Sequence, residues 1–414
     1  MASSGRPARR SWWQVLLDPV FGLFFLGKLL SSVGQWAHNV VAVILAYELS
    51  GSAFAVGLVT VAQFVPQLVL APWSGAAADR GDRRAQLMVG RCISATGSAG
   101  LAVWTWAVGP EGLPGVAPVV ASAALVGVGF AVGGPAMHAM LPSLVRRDEL
   151  DIAVTLNLLP LPLARATGPL VGAVVATTLG VQTAFAVAAL CSVSFALVLL
   201  RAPRTPPRDA RARRPTRTVL RYVRRDVRTL VLLLGVAAIG VGTDPSTTLA
   251  PAISADLGHG TTLVGPFATA FGIGAGIGFL LIPVARRLSG LERYGTTGVG
   301  LLAVGVAGLL VGGTPAVVLG AFVVCGAGLT VALTGLSAAL QLRAPEGLRG
   351  RIMGLWSLAF LGSRPFAGAF NGALADAVSL QAALDGVLLV LVAATWLCAA
   401  SDRRSAPRAR PPRG

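Results

Sequence analysis

RAPRTPPRDARARRPTRTVLRYVRRDVR, residues 201–228, holds eleven arginines and lies between two long apolar stretches. Residues 20–200 before it read as six membrane-spanning helices, and residues 229–400 after it read as six more, since runs of about 20 apolar residues are long enough to cross a bilayer. An Arg- and Pro-rich segment between two such halves reads as a linker lying near anionic lipid headgroups. Residues 1–19 form a short basic lead-in and residues 401–414 a basic tail. The lead-in carries no cleavage signature, so the first apolar run is read as a retained helix, not a signal peptide.

The composition agrees. Of 414 residues, 54% are hydrophobic and 12% charged, with a mean hydropathy of +0.73. A soluble domain carries about 25% charged residues, so this chain cannot coat a water-facing surface of its size. Its 51 glycines suit close helix packing in lipid. The twelve spans are placed at 20–47, 54–77, 85–108, 117–145, 151–178, 181–200, 229–253, 263–285, 295–311, 315–342, 351–375 and 380–400.

The net charge of +17 would on its own suggest a nucleic-acid partner. Its distribution points to a membrane instead. All but Lys28, Arg165 and Arg364 of the 34 Lys and Arg residues fall in segments on one side of the alternating spans, and the opposite loops show Glu111, Asp256 and His259. The positive-inside rule then puts both termini and the linker in the cytoplasm, in a multi-pass protein of the cell membrane.

The halves repeat faintly. Pro169 and Pro365 lie 196 positions apart, as do Gly172 and Gly368, Arg147 and Arg343, and Leu159 and Leu355. This pattern fits six helices repeated about an axis along the membrane normal. Cys92, Cys191, Cys325 and Cys398 sit in or beside apolar runs without a CxxC pair and read as packing residues. His38, His138 and His259 are too scattered to suggest a metal site, and no GxxxxGK[ST] phosphate loop occurs. No metal, cofactor or enzyme chemistry is therefore expected.

The segment between spans 2 and 3 reads Gly75-Ala-Ala-Ala-Asp79-Arg80-Gly81-Asp82-Arg83-Arg84. It resembles the G-x-x-x-D-R-x-x-R-R/K signature of the major facilitator superfamily. Span 5 carries Gly168-Pro169 and Gly172 after Ala164-Arg165, similar to the Gly-Pro motif of that superfamily's antiporters. Longer strings resemble the drug:proton antiporters that include macrolide and enterobactin exporters: Gly34-Gln35-Trp36, Tyr47 to Ser52, Gln63 to Pro66, Leu141 to Val145, Asp148-Glu149-Leu150, Ala153, Asn157 and Arg349 to Gly354. The resemblance covers roughly residues 21–400. It implies an all-α twelve-helix bundle of two pseudo-symmetric halves and a central cavity opening to either side in turn. It also implies a gating role for Asp79, near the start of span 11. Gly75 is expected at a close helix approach. Many members carry Asp where this chain has Gln35, which puts a proton site in span 1 in doubt.

A charge at mid-bilayer costs about 2.5–3.5 kcal/mol even on insertion scales and is expected to face a partner or a wet cavity. The candidates are Lys28, Arg165, Asp244, Arg364 and Asp385. Asp244, beside Pro245, has three readings: a proton-exchanging acid, a static partner of Arg165 or Arg364, or a solvated residue at the outer mouth. Under the first, Arg165 and Arg364 approach the central axis from opposite halves. His38 and Asn39 lie at a matching depth in span 1, with His38 either packed or relaying protons. Asp385 is the second acid. Lys28 either reaches toward the cytoplasm or lines the cavity.

The expected function is proton-driven efflux of an amphipathic organic molecule by a monomer. Its partners are that substrate, protons and the lipid bilayer, with no nucleic acid. An uptake or facilitated-diffusion permease for a polar solute, or a transport-dead sensor or scaffold, are the alternatives.

Overall fold

The computed structural model describes residues 10–203, 217–346 and 348–404. Residues 204–216 of the linker, 1–9 of the lead-in and 405–414 of the tail lie outside these residues. The described chain is helical without strands: α1 (Trp12–Leu16), α2 (Phe21–Ser50), α3 (Ala53–Arg80), α4 (Arg83–Val108), α5 (Ala117–Met140), α6 (Leu150–Asn157), α7 (Pro160–Leu179), α8 (Val181–Leu199), α9 (Arg217–Arg225), α10 (Val227–Gly242), α11 (Ala250–Asp256), α12 (Val264–Ser289), α13 (Tyr294–Val311), α14 (Pro315–Arg343), α15 (Arg349–Ala377) and α16 (Leu380–Arg404). Among the described residues, ten segments are both long and apolar enough to cross a membrane. The arginine-bearing α4 and α15 have the length, at 26 and 29 residues, without the apolarity.

The chain forms two compact units, residues 1–51 with 62–212 and residues 52–61 with 213–414. The first nine residues of α3 therefore fall in the second unit.

In the first unit, Val15, Phe21, Phe24, Leu87, Met140 and Leu199 share one core cluster. Residues expected to be a plain lead-in thus contribute α1. Arg10 donates to Glu149 and to Asp18, at 3.0 Å. Span 5 is not one helix. It divides at Leu158 and Leu159, and Pro160 opens α7, a position where a missing amide costs nothing. Pro169 stays inside α7 without ending it.

In the second unit, Phe267 and Phe322 lie 5.0 Å apart in a core shared by α10 and α12 to α16. A Cβ at Gly298 would overlap the Ala332 backbone, so α13 and α14 meet main chain to main chain. Span 7 also divides. α10 ends at Gly242, a 3-10 turn covers Asp244–Ser246, and α11 follows. At the basic end, Arg228 bridges Glu292 at 2.9 Å and Asp402 at 3.1 Å, and Thr296 donates to Asp402. Leu280, Leu288, Val311 and Trp396 are among the large apolar side chains left exposed, the kind of surface lipid solvates.

Candidate functional site

The signature loop is built from helix ends. Asp82 caps α4, its Oδ1 accepting from the Arg84 amide at 2.9 Å. Arg83 donates to Ala78 O at 3.0 Å and Ala139 O at 3.3 Å, while Arg84 donates to Leu200 O and Ala202 O. The two arginines thus satisfy carbonyls at the C-terminal ends of α3, α5 and α8, where the helix dipole favours cations. Asp79 and Arg80 are exposed in the last turn of α3. Gly75 is a correction: a Cβ there would meet nothing within 4 Å, so close packing does not account for this glycine here.

The Gly-Pro motif does serve close approach. A Cβ at Gly168 would sit 2.6 Å from Trp36 Cβ, and one at Gly172 would sit 2.7 Å from Ala37 Cα. This contact brings α7 onto α2 and sets Arg165 over the Trp36 ring, 4.9 Å from its centroid. Gln63 donates to Asn39 Oδ1 at 2.8 Å. Gln35, Trp36, Asn39 and Arg165 are each partly exposed. The result is a half-open surface of one guanidinium, one indole and paired amides.

His38 turns away from that surface. It is buried, with Nδ1 3.1 Å from Ser98 Oγ and its ring edge-on to Phe185. Lys28 does not reach toward water. Its ammonium is buried and donates to Asn157 O and Asn157 Oδ1, both at 2.8 Å.

In the second unit, the break between α10 and α11 buries the Asp244 carboxylate. Thr248 donates to Oδ1 at 2.6 Å and Asn371 Nδ2 to Oδ2 at 2.8 Å. Arg364 is buried seven residues before Asn371 on α15, within electrostatic range of Asp244. Thr60 Oγ1 lies 3.2 Å from Thr248 Oγ1. The same stretch of α3 is held at its start, where the Asp376 carboxylate accepts from the amides of Ala53 at 2.9 Å and Phe54 at 3.0 Å. Burial corrects the solvated-mouth reading of Asp244. Asp385 is exposed on α16, apart from this network.

Asn371, Thr248 and Trp36 were absent from the sequence candidates. Asn371 was within reach, since it lies two turns from Arg364 and so shares its helix face.

Long apolar helices interrupted at buried charges make this a multi-pass membrane transporter of the major facilitator fold. The profile of the family described as transmembrane secretion effector, MFS_3, matches residues 10–408, and the chain belongs to that family. The enterobactin exporter EntS of Citrobacter koseri is 28% identical over 406 residues, covering 93% of each chain. EntS of Escherichia coli O157:H7 is 28% identical over 399 residues, covering 90% of this chain and 92% of its own. Among solved structures, a bacterial homologue of the iron transporter ferroportin superposes with a TM-score of 0.75 at 16% identity, covering 93% of this chain and 99% of its own. The nucleoside transporter NupG does so with 0.75 at 11%, covering 92% and 99%.

Proposed function

We propose that this chain is a proton-coupled exporter of an amphipathic organic molecule of the antibiotic or siderophore kind, with Asp244 as its proton carrier. It acts as a monomer in the bacterial cell membrane, with both termini in the cytoplasm, and transforms no substrate chemically. The resemblance to enterobactin exporters supports export over uptake and the siderophore end of that range.

The carrying observation is the arrangement at Asp244. Both its carboxylate oxygens accept, one from Thr248 and one from Asn371. A proton added to either oxygen turns that acceptor into a donor. The protonated oxygen is a poorer acceptor, so the hydrogen bond it receives weakens or reverses. Thr248 also meets Thr60, and Asn371 is part of α15. Protonation therefore redistributes the bonds that hold residues 52–61, the 244–248 break and α15 together. A proton that binds two conformations unequally shifts the balance between them. Neutralising Asp244 also leaves Arg364 less compensated, so an anionic or electron-rich substrate binds one protonation state better. The Arg165–Trp36 pair offers such a substrate a cation and an aromatic face.

The test is accumulation of a panel of antibiotics and siderophores in an efflux-deficient host. Cells expressing the chain should accumulate less of at least one compound, and a protonophore should abolish the difference. Greater accumulation in expressing cells would reverse the direction proposed.

A further inference from the structure

The position of Arg91 suggests an inner-face anchor like Arg83 and Arg84. The structure places it in the third turn of α4 with 4% of its surface exposed. Nη1 donates to Ser31 Oγ at 2.9 Å. Nε and Nη2 are buried without an acceptor. Among the described residues, no carboxylate lies within 4.0 Å of the guanidinium.

A small cavity adjoins this side chain. Its volume is about 10 Å³, and besides Arg91 its polar lining is Gln35, Ser94, Ser98 and Ser192. Space of that order holds about one water-sized occupant. Arg91 is the charged group on this lining; Ser94 Oγ lies 3.4 Å from Val126 O and Ser98 Oγ 3.1 Å from His38 Nδ1, and a serine hydroxyl can turn its hydrogen toward an anion instead. A guanidinium stays charged in proteins. An isolated charge out of water costs several kcal/mol unless a partner of opposite sign is present. Water would satisfy the two free N–H groups and leave the charge uncompensated. Room for about one water-sized centre suits a monatomic ion better than a carboxylate or phosphate. We infer that the first unit holds a single monatomic anion of the halide class at Arg91, coordinated by Nε and Nη2 and by the surrounding hydroxyls. This is a structural counter-ion, separate from the exported substrate and independent of the proposed role of Asp244.

The test uses the purified full-length chain in detergent. Thermal unfolding is followed by tryptophan fluorescence in sodium chloride and in sodium gluconate at equal ionic strength. Chloride should raise the midpoint saturably, by about 2 °C for each tenfold increase above half-saturation, because a ligand binding only the folded state stabilises it logarithmically. Bromide should substitute for chloride. Arg91→Met should remove the halide dependence. Should that variant not fold, Ser98→Ala should weaken the dependence several-fold. Crystals grown in bromide should show one anomalous peak within hydrogen-bond distance of the guanidinium. Equal midpoints of the parent chain in chloride and gluconate would mean water alone and overturn the inference. So would halide dependence surviving in Arg91→Met, or the absence of that bromide peak.

Discussion

Lys28 and Asp244 are buried ionisable residues that divide their work differently. The Lys28 ammonium lies at the carbonyl end of α6, where the helix dipole is negative, and takes both oxygens of Asn157. It joins α2 to a helix break and reads as a fixed brace. Hydrogen bonds to charged groups are worth about 1.5–3 kcal/mol, so Asn157→Ala, which leaves only the carbonyl, should destabilise the chain by about 2 kcal/mol. Thermal unfolding measures this, and an unchanged midpoint would remove the brace. Asp244 also sits at a break, but its two bonds run to Thr248 and Asn371, neutral groups that can each give or take a hydrogen bond. Asp244→Asn keeps the shape and abolishes the titration. In proteoliposomes it should retain downhill substrate exchange and lose the response to an imposed pH gradient. Uphill pumping with normal pH dependence in this variant would move the proton elsewhere, with Asp385 and His38 the next candidates.

At the scale of elements, helix ends carry most of the polar structure. α1 is held by Arg10, which joins Asp18 and Glu149. Burial pushes the Asp18 carboxyl upward, but hydrogen bonds from the Phe21 amide, Arg10 and the Val20 amide outweigh it and leave it below its usual 3.8. A carboxyl depressed by folding contributes stability that is complete above its unfolded value and lost as pH falls through its folded one. The α1 tether should therefore loosen below about pH 4. Acrylamide quenching of Trp12 and Trp13 should rise between pH 6 and pH 3, with a smaller step in Asp18→Asn; equal steps in both would assign the effect to another group. The helices themselves were legible in the apolar runs, because hydrocarbon demands a continuous stretch of about 20 residues. The sequence reads 229–253 as one helix with Pro245 loosening it locally, and the structure divides it at Asp244–Ser246. The break before Pro160 was not legible: prolines at 66, 72, 135, 169, 283 and 365 all sit inside unbroken helices, so proline alone does not locate one. Arg91 was misplaced because charge pattern assigns a side of the membrane and says nothing of depth within a helix.

For the whole molecule, the basic residues gather at one kind of helix end in each unit. In the first they stand at the end of α3, the start of α4 and just after α8, as Arg80, Arg83, Arg84 and Arg201. In the second they stand at the starts of α10, α13 and α15 and the ends of α12, α14 and α16, as Arg228, Arg293, Arg349, Arg286, Arg343 and Arg403. Successive membrane-crossing helices run in opposite directions, so starts of alternate helices and ends of their neighbours share one face. The opposite ends carry Glu48, Glu111, Asp256 and Asp376. An excess of Lys and Arg marks the cytoplasmic face. Asp79 lies on this basic side too, exposed in the last turn of α3. The orientation itself is open to direct measurement. With the four native cysteines replaced by serine, Arg225→Cys on the exposed part of α9 should resist a membrane-impermeant maleimide in intact cells and react after permeabilisation. Glu111→Cys, in the loop after α4, should react in both. Labelling of Arg225→Cys in intact cells, with Glu111→Cys protected, would invert the molecule and reverse the direction of transport proposed for it.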